Sequence, residues 1–237
     1  MILENMNIQE VGRSLLKTAQ QNYLRFGLIL SHNEKKYRRI AIKKGQERID
    51  FKPINVQVEN ITFHICPYSL NKQDYKKYGS NFCLLASFKY RKKDMFCMIS
   101  DYGTNIQMYT KHFFKRYIER HLKDDSEVNI NLVRKYFKET EYVCHIESVD
   151  REGYDNSIFG GTNIGTCCGY KVCDNVYVFN TYIDVETLKK GDKRRVYDES
   201  QPLIQPIGMD AIGNRIFPGT LLEIAFSEAA NNDGEVA

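Results

Sequence analysis

The stretch Tyr109–Lys123, YTKHFFKRYIERHLK, decides how the rest of this 237-residue chain is read. Thr110 can cap a helix, because its hydroxyl can accept from a first-turn N–H that has no partner within the helix. Phe114, Tyr117, Ile118, His121 and Leu122 recur at three- and four-residue spacing and predict one apolar face. His112, Arg116 and Arg120 recur every four residues, which stacks them along one side of the helix, about 6 Å apart. Lys115 and Lys123 flank this stripe, and Glu119 is the one acid inside it. Like charges at that spacing repel by about 0.2–0.5 kcal/mol per pair, and an anion would turn the repulsion into attraction. A phosphodiester suits such a stripe: the guanidinium fork matches its oxygens, and an imidazole moves a proton near neutral pH. The competing reading is a solvated basic face neutralised by Glu119, Asp124 and Asp125.

Downstream, a second helix is predicted over Ile130–Glu139, with Val133, Tyr136 and Phe137 inward and Asn129 or Ser126 as cap. Glu141–Val149 reads as a strand and residues 150–165 as a glycine-rich loop. Thr166–Cys173 and Val176–Ile183 read as a hairpin across Asp174-Asn175. A short helix at 185–190, a charged linker at 191–202, a strand at 215–217 and a helix at 220–230 complete the tail. Upstream, residues 7–27 predict a helix. Strands are predicted from 27–31, over 37–43, 56–66, 82–90 and 95–100, with a polar connection at 69–80. The fold class is therefore α+β, a mainly antiparallel sheet with helices packed on one face. The expected domains are residues 1–105, a core at 106–190, and a linker and tail at 191–237.

Hydrophobic residues make up 42% of the chain, enough for a core, and tryptophan is absent, so aromatic packing rests on Tyr and Phe. The net charge of +4 is mild, yet residues 34–48 hold seven Lys and Arg against two Glu, and residues 221–237 hold four acids and no base. No apolar run has the length of a membrane span, and the N-terminus lacks the pattern of a secretory signal. Seven cysteines at irregular spacing do not form a disulfide framework, which points to a reducing cytoplasm. Cys167, Cys168 and Cys173, with Cys144 and His145 upstream, lack the paired spacing of structural zinc, so neither metal nor cofactor is expected.

His112, Arg116, Glu119 and Arg120, followed by a second helix, strands and a late strand carrying Thr181, resemble the opening motif and order of RelE-type mRNA interferases and related toxin-like ribonuclease domains. The resemblance covers residues 108–188. It implies a metal-independent cleavage in which the ribose 2′-hydroxyl attacks the adjacent phosphorus. His112 would move the proton, Arg116 and Arg120 would neutralise the phosphate, and Thr181 or Tyr182 would orient it. Lys115, Lys123 and Tyr109 would bind, the tyrosine by stacking on a base. RNA would be the partner, with an antitoxin or other protein as a second one.

Three readings follow. A nuclease predicts that the basic residues converge on an open cleft. A non-catalytic nucleic-acid- or protein-binding chain of phage or mobile-element origin predicts that Arg116 and Arg120 are engaged internally. A small-molecule enzyme would use the glycines of residues 160–169 as an anion cradle, with Cys167 or Cys168 as a thiol nucleophile beside His145 or His112. His64 lies in a strand pattern and reads as a satisfied histidine.

Overall fold

A computed structural model describes residues 1–45, 47–100, 103–141, 144–148 and 156–184. The helices are α1 (Ile8–Ile42), α2 (Lys72–Tyr78), α3 (Lys111–Tyr117) and α4 (Ile130–Glu139). The strands are β1 (Ile49–Asp50), β2 (Ile54–Val58), β3 (Ile61–Ser69), β4 (Asn81–Tyr90), β5 (Lys93–Ser100), β6 (Asn105–Thr110), β7 (His145–Ser148), β8 (Ser157–Thr162), β9 (Gly165–Cys173) and β10 (Val176–Asp184). The fold is α+β and its sheet is mainly antiparallel. The elements expected at 185–190, 215–217 and 220–230 lie outside the described residues.

The chain forms two compact units, and α1, β3 and β4 contribute residues to both. Neither unit coincides with residues 1–105 or 106–190, because β5 and β6 form one hairpin, with Met95 opposite Thr110 and Ser100 opposite Asn105.

The first unit comprises residues 1–26 and 54–65 and the described residues between 83 and 184. Its strands run in the order β3-β4-β5-β6-β10-β9-β8-β7, with β2 paired to β3. The pairing of β6 with β10 is parallel, with Ile106 beside Val176 and Tyr109 beside Phe179. On one face, α3 and α4 bury a cluster of Tyr109, Phe113, Phe114, Tyr117, Tyr136, Phe137, Phe179 and Tyr182. Edge-to-face pairs dominate, such as Tyr109–Phe137 at 5.2 Å and Tyr117–Tyr182 at 5.5 Å. Each such pair adds about 0.5–1.5 kcal/mol beyond its burial, so single rings build this core without tryptophan.

In the second unit, the described residues are 27–53, apart from Gln46, and 66–82. Tyr37 of α1 packs on Phe51 at 4.5 Å, and Phe51 packs on Tyr75 of α2 at 5.8 Å. Asn71 caps α2, its side chain accepting from the N–H groups of Gln73 and Asp74. β1 pairs with the end of β3, Ile49 opposite Ser69.

The strands expected from 27–31 and over 37–43 are instead part of the 35-residue helix α1. Val11, Leu15, Ala19, Phe26, Leu30, Tyr37 and Ala41 are all buried, and their spacing has the helical period throughout. The alternation of YRRIAIK mimicked a strand because Tyr37 and Ala41, four residues apart, also fit a helix. Gly27 did not break the helix. Part of the loop expected at 150–165 is strand β8.

Candidate functional site

Thr110 caps α3 as expected: its backbone is extended, and its Oγ1 accepts from the Phe113 N–H at 3.2 Å. After Tyr117 the helix widens into a π-turn over Ile118–Leu122. Lys123 closes that turn in the left-handed region at φ 54°, its N–H donating to the Ile118 carbonyl at 2.7 Å. Such turns often mark functional sites, and this one carries Glu119, Arg120 and His121.

The stripe divides into three fates. His112 and Lys115 are exposed, and among the described residues neither side chain makes a hydrogen bond or ion pair. Arg116 donates to Glu119 Oε2 at 2.8 Å. Arg120 is half-buried and donates from Nη1 to the Tyr182 carbonyl at 2.5 Å, tying the π-turn to β10. Lys123 is exposed.

Thr181 does not join the stripe. Asn180 forms a bulge between Phe179 and Thr181, after which Tyr182 points into the aromatic cluster under α3. Successive strand residues face opposite ways, so Thr181 lies on the other side of the sheet from α3. Tyr109 and Tyr182 are each 0% exposed. They are core residues, and no base can stack on them.

Beside the stripe, His121 stacks on Tyr117 with ring centroids 5.3 Å apart and lies 3.7 Å from Glu139 Oε2. The Tyr117 hydroxyl donates to the same carboxylate. Burial, then this bond to Glu139, raises the Tyr117 pKa, so its proton stays in place.

The glycines of 160–169 are packing positions, not an anion cradle. A Cβ on Gly160 would sit 3.1 Å from the Phe179 ring, and one on Gly169 would sit 1.9 Å from the Val178 carbonyl oxygen. Cys167 is fully buried, bonds the Tyr136 hydroxyl at 3.1 Å, and burial pushes its thiol well above the usual range, so it is no nucleophile. All seven cysteines are thiols, and among the described residues no three His, Cys, Asp or Glu side chains group as metal ligands would. No described helix is long and apolar enough to cross a membrane.

The sequence reading passed over a second cluster in the same unit. His64 on β3 is buried, with Nδ1 2.8 Å from Asn55 Oδ1 on β2 and Nε2 2.9 Å from Ser87 Oγ on β4. Arg134 of α4 donates from Nη2 to the same Asn55 oxygen at 3.0 Å. Burial first, and then the Arg134 charge, lower the His64 pKa to about 4. His64 is indeed satisfied, but by groups from three other elements. Alternation alone placed it on a face. Only the register, Asn55 opposite His64, reveals the partners.

No protein-family model, curated protein or solved structure matches this chain.

Proposed function

We propose that the protein binds the phosphate backbone of RNA and does not cleave it at α3. The observation that carries this reading is in the second unit. Residues 27–53 and 66–82 hold eleven Lys and Arg against four Asp and Glu. Lys35, Lys36, Arg38, Arg39, Lys43 and Lys44 are all exposed, and none forms a salt bridge among the described residues. Lys36 and Arg39 lie three residues apart on α1 and Lys43 follows just past its end, an arrangement that follows a polyanion along a helix side. Three of the four acids have partners within the unit: Glu34 accepts from the Tyr75 and Ser80 hydroxyls, Asp50 pairs with Arg48, and Asp74 accepts from the Asn71 amide. Against cleavage at α3 stand the engagement of Arg116 and Arg120 and the placement of Thr181.

Binding of a single-stranded RNA, followed by fluorescence anisotropy at several salt concentrations, tests this. Each phosphate contact contributes a slope of about 0.7 in log affinity against log salt. Replacing Lys35, Lys36, Arg39 and Lys43 by Gln should reduce the slope by about 2–3 and weaken binding at least tenfold at low salt. A slope unchanged from wild type would remove α1 from the interface.

Cleavage remains a second reading, supported by the exposed His112 without a partner and by the helix–helix–strand order that resembles toxin-like ribonucleases. RNA cut in EDTA by the wild type but not by His112→Ala would establish it in place of the first.

A further inference from the structure

We infer that Cys144 and Cys167 hold one soft monovalent cation, Cu(I), between their two sulfurs. The two residues lie on either side of β8. Gly160 of β8 stands opposite Cys167 of β9 and opposite Ile146 of β7, so these three positions share one face of the sheet. Cys144, two residues before Ile146, reaches over the same face. The place that a side chain on Gly160 would fill holds the Cys144 sulfur instead: a Cβ there would sit 2.5 Å from Cys144 Sγ. Glycine at 160 thus lets two thiols meet across the strand between them, where they hydrogen-bond each other.

The surroundings suit a bound ion. Cys144 is half-buried and Cys167 is 0% exposed, so a cation enters past Cys144 and comes to rest away from water. The Tyr136 hydroxyl lies 3.1 Å from Cys167 Sγ, and the Tyr109 hydroxyl hydrogen-bonds Cys144. A hydroxyl beside a metal-bound sulfur can donate to it, the outer support that fixes a ligand in place.

The donor set selects the ion. Thiolates are soft and favour Cu(I) over hard cations. Zinc takes four ligands, and among the described residues no third His, Cys, Asp or Glu joins these two. Cu(I) is satisfied by two sulfurs in a line. At the ~2.3 Å typical of a metal–thiolate bond, an ion between two sulfurs holds them about 4–5 Å apart, whereas a disulfide draws them to about 2.05 Å. Thiols in hydrogen-bond contact reach the wider spacing by small side-chain rotations. In binding, two S–H bonds break, two Cu–S bonds form and both protons pass to solvent, with no electron transferred. The charge of the ion offsets one of the two negative charges, so the exchange leaves a single charge at the half-buried end of the pair.

The full chain, reduced and kept free of oxygen, is titrated with Cu(I) presented as its bicinchoninate complex, and native mass spectrometry counts the metal. The wild type should take one Cu(I) from a stoichiometric amount. That ion should slow the labelling of Cys144 by N-ethylmaleimide about tenfold or more, read on the peptide carrying Cys144, and leave Cys168 and Cys173 labelled as before. Cys144→Ser should weaken Cu(I) binding by about a hundredfold or more, whereas Cys168→Ser should change it by no more than about threefold. Zn(II) at the same concentration should leave Cys144 as reactive as in the free chain. Cu(I) held equally well by folded Cys144→Ser, Cys168 or Cys173 protected in place of Cys144, or equal protection by Zn(II) overturns the inference.

Discussion

Two basic stretches, residues 35–44 at the end of α1 and just past it and residues 111–123 on α3 and its π-turn, have similar charge in the sequence and different charge in the folded protein. On α3, Lys111 meets Asp94 at 3.2 Å, Arg116 meets Glu119, and Arg120 ends on a carbonyl. At the end of α1 and just past it, six exposed cations have no ion-pair partner among the described residues. The quantity that recruits a polyanion is charge left without an internal partner, which a count of Lys and Arg does not measure. The stripe that looked most specific by spacing is the one the fold has largely engaged.

The sharpest break of this comparison is between the inner and outer faces of α3. Phe113→Ala removes a fully buried ring from the aromatic cluster and should cost about 3–5 kcal/mol in urea unfolding. His112→Ala, one residue earlier and exposed, should stay within about 0.5 kcal/mol. Comparable losses for both would show that the stripe is structural along its whole length.

The tyrosines behind the two stretches separate next. Tyr117→Phe removes the donor to Glu139 and should destabilise by about 1–2 kcal/mol, because a half-buried carboxylate loses a hydrogen bond. Tyr37 of α1 has a buried hydroxyl with no hydrogen-bond partner among the described residues. Tyr37→Phe should therefore be neutral or stabilising by up to about 1 kcal/mol in the same assay. A loss at Tyr37 equal to that at Tyr117 would contradict the difference between the two environments.

The smallest effect tests the engagement of Arg116 directly. Glu119→Gln releases its guanidinium, and RNA affinity at low salt should rise no more than about threefold, with a salt slope steeper by less than one. A rise of a hundredfold would make α3 the main phosphate-binding face after all.

Much of the fold was legible because local chemistry and pattern agreed. Thr110 and Asn129 are caps, and Val133, Tyr136 and Phe137 turn inward, as their positions dictate. The Asp174-Asn175 turn holds its expected place, with Asn175 at φ 60°. What failed was read from patterns that two periods share: YRRIAIK fits a strand over seven residues and a helix only when the buried series from Val11 is followed through it. The site was less legible still. The α3 stripe was visible as spacing, but the bulge at Asn180, which decides where Thr181 points, leaves no mark in the chain. Asn55, His64, Ser87 and Arg134 span eighty residues and come together only through strand register and the placement of α4.

The parallel contact between β6 and β10 also bears on how the chain is made. β10 lies between β6 and β9, so the hairpin of β5 and β6 keeps one open backbone edge until residues 176–184 have been synthesised. About seventy residues must emerge before that edge is covered, and during those seconds it offers unsatisfied hydrogen bonds to any strand nearby. The nascent chain is thus most prone to mispairing just before its final described strand arrives, and a chain stalled there would aggregate through β6.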